Sequence, residues 1–139
     1  MKRLLIILTS LFFLSAPLFA QDDDDQNDAN EKIRDKMNEY IQKRLDLSKD
    51  EAAKFTPVFL KYFKEWRQTL RETRGLPPLD RQQKIVDLQI RYRAQFREVV
   101  GEKRGDQVFE HQRKFIKEMV VLRMERQRNN PNRMPLRRQ

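Results

Sequence analysis

The chain has 139 residues, no cysteine, one histidine, and a formal charge of +9 from 30 Lys and Arg against 21 Asp and Glu. That length allows one modest domain. The absence of cysteine excludes disulfide staples and thiol chemistry, and three glycines and six prolines leave little room for hairpins. Almost no stretch alternates apolar and polar residues, so the expected fold class is all-α: a four-helix, hairpin-type cradle with long second and fourth helices and disordered ends.

Residues 1–20 open with Lys2-Arg3, continue through an apolar run from Leu4 to Leu14, and finish Pro17-Leu18-Phe19-Ala20. The run is well short of the ~20 residues needed to cross a bilayer, so it reads as a signal peptide cleaved near Ala20. Export to the periplasm is the expected localisation. It argues against nucleic acid as the partner of the basic charge. Residues 21–30 contain Asp22 to Asp25 and Asp28 with nothing apolar to bury, and are expected to be disordered.

A helical domain is expected over 31–127. The first helix starts at a cap on Asn30 and runs to about Leu45, with Ile33, Met37, Tyr40 and Ile41 at helical spacing. The corner that follows is Leu47-Ser48-Lys49-Asp50-Glu51. The Ser48 hydroxyl can accept from the Glu51 backbone N–H, and the Glu51 carboxylate can reach back to the Ser48 N–H. Leu47 is placed as the apolar staple.

The second helix is expected over Lys49–Arg74. At 100° per residue, Phe55, Val58, Phe59, Tyr62, Phe63, Trp66 and Leu70 fall within an arc of about 140°, with Trp66 mid-arc as core. Leu60 falls near the polar side. Pro57 lies inside the helix and should bend it without ending it, because the apolar face continues in phase across it. Gly75 suits the left-handed position after a helix end. Leu79-Asp80-x-x-Gln83 then repeats the staple and capping box at the start of a third helix. Ile85, Leu88, Tyr92, Phe96, Val99 and Val100 form its buried face, while Val86 and Ile90 share a side with Arg93 and Arg97.

A break at Gly101 precedes a fourth helix, roughly Glu102 to Gln127. Its apolar residues span about 200°, more than one neighbour can cover. They divide into a stripe of Val108, Phe115, Met119 and Leu122 and another of Phe109, Ile116 and Val120. One is expected to be core and the other to meet a second subunit or a client, unless the helix is buried between two others. Residues 128–139, with two prolines and four arginines, read as a disordered basic tail.

No catalytic residues, metal ligands or cofactor site emerge, and the chain is expected not to be an enzyme. His111 shares its side of the helix with Glu118, but one imidazole and one carboxylate do not make a transition-metal site. A dimer would be needed to bring two copies of His111 together. Ser48 is the only serine after the leader, and no Gly-rich phosphate loop occurs. What remains is an aromatic and basic surface. Arg67, Arg71, Arg91, Arg93 and Arg97, with Phe115 and Met119, are the candidate client- or partner-binding residues. Arginine carries an apolar stem and a charged head, and so contacts both apolar and acidic parts of another chain.

With its leader and its helix corner, the chain resembles the Spy/CpxP-like (LTxxQ-motif) family of periplasmic chaperones and envelope-stress proteins. Leu47 matches the motif Leu, Ser48 stands for Thr and Glu51 for Gln. The continuation Ala52-Ala53-Lys54-Phe55-Thr56-Pro57-Val58-Phe59 is also similar to longer members. The likeness covers about Glu31 to Gln127. The family's second copy of the motif would fall at Val100-Gly101-Glu102-Lys103-Arg104, which keeps neither Thr nor Gln. The resemblance implies a helical cradle, often homodimeric, that holds unfolded or damaged envelope proteins without ATP. An alternative is a regulatory subunit docking through its basic tail on a membrane stress sensor or an anti-sigma factor. A metal-responsive role fits less well, because the His-rich ends of such members are missing.

Overall fold

The computed structural model describes residues 21–130, with side chains described from residue 27 onward. Four helices follow one another: α1 (Gln21–Arg44), α2 (Lys49–Glu72), α3 (Pro78–Val100) and α4 (Glu102–Arg128). No strand occurs among the described residues, and the all-α expectation holds. α2 and α4 are long, at 24 and 27 residues, but α1 and α3 nearly match them at 24 and 23. The leader 1–20 and residues 131–139 of the basic tail lie outside the described residues. The chain divides into two compact units, Met1–Lys32 and Ile33–Gln139. The described part of the first is helical, and all packing below belongs to the second.

α1 begins at Gln21, ahead of the expected start at Asn30, so Asn30 is internal and not a cap. Residues 27–30, inside the acidic segment expected to be disordered, are helical. The stretch contains no Gly or Pro to break a helix.

The α1–α2 corner has the expected chemistry and one further device. Asp46 takes a left-handed φ of 51°. The Leu47 N–H donates to the Gln42 carbonyl (3.1 Å) and the Asp46 N–H to that of Lys43 (3.3 Å). That pair of bonds closes α1 as a Schellman motif, with a short polar residue in the place usually given to glycine. The capping box of α2 follows at once: the Glu51 N–H donates to Ser48 Oγ (3.2 Å) and the Ser48 N–H to the Glu51 carboxylate (3.0 Å). Leu47 belongs to both motifs and packs on the core.

α2 runs through Pro57 as one helix. It ends at Glu72, short of Arg74, with Thr73 as its C-cap, where the Thr73 hydroxyl donates to the Thr69 carbonyl (2.6 Å). The end is closed without a left-handed residue. Gly75 is not one, since positive φ among the described residues occurs only at Asp46 and Gly101. The second capping box is also absent. α3 starts three residues earlier, at Pro78, behind an N-cap Pro77 with no side-chain cap bond. Proline supplies a preset φ at a helix start and needs no N–H partner there. Asp80 therefore sits inside the first turn, Gln83 donates to Asp87, and Leu79 is 79 % exposed and staples nothing.

The core of the second unit is aromatic. Tyr62 stands in the middle, with ring centroids 5.3 Å from Tyr92, 5.8 Å from Phe96 and 5.5 Å from Phe109. Phe55 lies 5.2 Å from Phe96 and 5.7 Å from Phe59. Such edge-to-face and tilted pairs contribute about 0.5–1.5 kcal/mol each beyond area burial. Leu60, near the polar side by angle, still packs against this core. α1 adds Met37 and Ile41, and the corner after it Leu45, all buried. Its polar clasp to α2 joins Asn38 and Gln42 to the Thr56 hydroxyl at 3.3 and 2.9 Å.

α3 and α4 turn on Gly101, at φ 89°. Beyond it, Gly105 faces the α3 backbone so closely that an added Cβ would lie 2.6 Å from the Arg97 nitrogen. A glycine, though unfavourable inside a helix, is what lets the two helices meet here. No helix among the described residues is long and apolar enough to cross a membrane.

Candidate functional site: an apolar groove with a cationic rim

Burial along α4 divides by length, not by stripe. Val108, Phe109, Gln112 and Phe115, drawn from both expected stripes, are buried. From Met119 onward the helix is exposed on every side: Val120 is 51 % exposed, Leu122 46 % and Met124 56 %. The expectation of one core stripe and one free stripe is therefore corrected. The first half of α4 is enclosed by α1, α2 and α3, which explains its 200° apolar arc. The second half runs past them and keeps its apolar residues.

Where α4 passes out of the core, it bounds a groove of about 560 Å³ with α1 and α2. α1 supplies Ile33, Lys36 and Met37, and α2 supplies Phe63, Trp66 and Arg67. α4 supplies Phe115, Ile116, Met119, Val120, Leu122, Arg123 and Arg126. The floor is apolar and aromatic, with Trp66 packed on Phe63 at 5.6 Å between ring centroids. Among the described residues of the lining, four side chains are cationic and none is a carboxylate. Trp66, expected as core, is half-buried and forms part of the wall.

The structure brings three candidate residues together here, Arg67, Phe115 and Met119. It places the other four elsewhere. Arg97 forks onto Asp106 with two bonds of 2.7 Å and serves the α3–α4 corner. Each partner holds the other charged: the Asp106 carboxyl is lowered and the Arg97 guanidinium raised, chiefly by their hydrogen bond. Arg91 reaches Glu65 at 3.5 Å. The same carboxylate accepts from the Tyr92 hydroxyl at 2.6 Å, and burial followed by this bond raises the phenol well above its ordinary range. Arg93 borders a smaller hollow with Val86, Ile90 and Arg113. Arg71 is exposed on α2 and does not line the groove.

Angular bookkeeping on single helices could not gather these residues, because convergence depends on which helix ends separate. Lys36, Arg123 and Arg126 were missed for that reason. The one signal in the sequence was the wide apolar arc of α4 continuing into a run rich in arginine.

His111 does not share a site with Glu118. The Tyr40 hydroxyl donates to Glu118 at 2.8 Å, and Arg44 lies 3.9 Å from the same oxygen. His111 Nδ1 is buried without a hydrogen-bond partner, and burial with nearby Lys114 and Arg44 lowers the imidazole below its ordinary value. Among the described residues no group of three His, Cys, Asp or Glu converges as a metal site.

No family model, no curated protein and no solved structure matches this chain.

Proposed function

We propose that the protein is an ATP-independent, chaperone-like binding protein that holds unfolded or damaged proteins of the cell envelope. The observation that carries this reading is the groove between α1, α2 and α4, apolar at its floor and bordered by Lys36, Arg67, Arg123 and Arg126. Unfolded chains offer what such a surface takes: exposed apolar side chains interspersed with charge. Exposed apolar area rimmed by polar residues is a common mark of interaction surfaces. The exposed end of α4 extends that area beyond the groove. The leader read in residues 1–20 and the family resemblance at Leu47, Ser48 and Glu51 support the periplasmic setting. In this reading Ser48 and Glu51 hold the helices in place and touch no client, and no residue has a catalytic role.

The regulatory alternative rests on the basic tail, and nothing in the four helices favours it over client binding. Mixing the protein with an aggregating client at equal concentration tests the reading. Light scattering should fall, and a photo-crosslinker placed at Met119 should capture the client. Unchanged scattering with no crosslink would overturn it.

A further inference from the structure

We propose that the far half of α4 docks on an anionic lipid surface, through a side of the helix that faces away from the groove. The proposal goes beyond client binding and uses a different surface. At 100° per residue, Lys117, Val120, Val121, Met124 and Arg128 fall within an arc of about 100°. All five are exposed, and of them only Val120 also lines the groove. The three apolar side chains, Val120, Val121 and Met124, are 51, 41 and 56 % exposed. Glu118 and Glu125 stand beyond the edge of the arc, and Glu118 is already engaged by Tyr40 and Arg44. Apolar side chains framed by a cation at either end suit a helix lying in a membrane interface. There the apolar groups enter the acyl boundary and the cations meet the headgroups.

Charge selects the kind of surface. Residues 117–139 carry seven Lys and Arg against two Glu, and the three that follow α4 in the sequence are Arg133, Arg137 and Arg138. Each cation close to an anionic membrane adds to the attraction, so the basic segment and the apolar arc act together.

A second copy does not suit this side of the helix. Laid arc to arc, in either direction, two copies would set cation against cation at Lys117 and Arg128. A protein partner suits it little better. A stable protein interface takes about 800 Å² from each partner, and a strip roughly 16 Å long and one helix wide falls far short of that. A lipid surface needs no matching shape and accepts a convex helix side as it is. Phe115, Met119 and Leu122, by which α4 faces the groove, lie about 100° or more round the helix from the arc. A protein docked on the arc therefore keeps its groove open.

The test is co-sedimentation of the protein with vesicles of phosphatidylcholine alone and of phosphatidylcholine mixed with phosphatidylglycerol. The mixed vesicles should bind it at least about tenfold more tightly, with the gap closing as salt rises. Lys117→Glu/Arg128→Glu and Val121→Asp/Met124→Asp alter exposed side chains, and circular dichroism confirms that each variant keeps its helices. Both should lose most of the binding to mixed vesicles. Val121→Trp gives a positive readout. Its emission should move to the blue on mixed vesicles, while that of the wild type, whose only tryptophan is Trp66 in the groove wall, stays in place. No binding, equal binding to both vesicles, or undiminished binding by either double variant would overturn the proposal. So would a Val121→Trp emission that does not move, or a wild-type emission that moves as far. Release from mixed vesicles by an equal charge of soluble polyglutamate would make the partner an acidic protein and overturn it too. Client aggregation is measured without lipid, so its outcome bears on client holding alone.

Discussion

Arg104, in the first turn of α4, forks onto both carboxylate oxygens of Glu51, the residue that also closes the capping box of α2. Its Nη1 lies 3.0 Å from Oε2, and its Nε donates to the Val100 carbonyl at the end of α3 at 2.8 Å. One arginine thus ties the α1–α2 corner to the α3–α4 corner, and one carboxylate serves both a local cap and a long-range bond. Bidentate Arg–carboxylate pairs add geometric definition as well as attraction.

This pair sets an acid limb of stability. The hydrogen bonds from Arg104, and then from the Ser48 backbone, hold the Glu51 carboxyl down to about 2, from an ordinary value of 4.5. A carboxyl lowered in the folded state stabilises it fully above the unfolded value, and that contribution is lost as pH falls from 4.5 toward 2. Glu51→Gln keeps a partner for the Ser48 N–H but loses the charged fork. It should melt at a lower temperature than wild type at pH 7, with the gap narrowing between pH 4.5 and 2. A constant gap across that window would assign the loss to packing instead.

The two corners should respond differently to loss of their capping side chains. Ser48→Ala removes a formed cap bond and should cost about 1 kcal/mol in urea unfolding. Asp80→Ala removes an exposed carboxylate that caps nothing, and should cost only a few tenths of a kcal/mol through the helix dipole. Equal costs would mean that the capping box read at Leu79-Asp80 forms in solution.

The Tyr62 hydroxyl donates to Gln112 at 2.7 Å in the aromatic core, and Gln112 is 2 % exposed. Tyr62→Phe strips the buried amide of this donor and should cost about 1–3 kcal/mol. Adding Gln112→Leu should recover much of that loss, because it removes the buried amide left without its donor, while Gln89, which donates to the Tyr62 hydroxyl at 3.4 Å, is only half-buried and can turn to water. Burial pushes the Tyr62 phenol up to about 12. Its contribution to stability is present below pH 10 and is lost as pH rises toward 12. Ultraviolet titration should therefore show Tyr62, and with it the still more strongly shifted Tyr92, ionising only as the fold is lost.

Gly105→Ala would place a Cβ 2.6 Å from the Arg97 nitrogen and 2.7 Å from its Cα. Both are backbone atoms that cannot rotate away. Although alanine favours helices, this substitution should destabilise by about 1–3 kcal/mol, as overpacking does, and should loosen the Arg97–Asp106 fork. A gain in stability would show that α3 and α4 lie further apart in solution.

Met119→Glu separates folding from binding. Met119 is 37 % exposed, so chemical unfolding should shift by no more than about 0.5 kcal/mol. Client holding should fall severalfold, and the change in Trp66 emission on client addition should shrink with it. An unaltered emission change would place the client away from the groove.

Much of the fold was legible because it rests on local rules. Ser48 and Glu51 at cap spacing form their reciprocal bonds, and the α2 face from Phe55 to Phe63 is the core. The readings that failed were local rules overridden by a competing local choice. Pro78 took the helix start that Asp80 could have capped, Thr73 closed the end expected of Gly75, and Asp46 took the left-handed position with no glycine present.

The sequence by itself determined the helices, the first corner and the buried aromatic face, because hydrophobic period and capping chemistry act over a few residues. The site was decided only in the tertiary structure. Glu51 and Arg104 are far apart in the chain and meet only because both helix corners fall at the same end of the packed helices. The cations of the groove belong to three helices whose separation sets the opening. Whether Met119 is core or wall depends on how far α4 outruns its neighbours, and no periodicity within α4 carries that information.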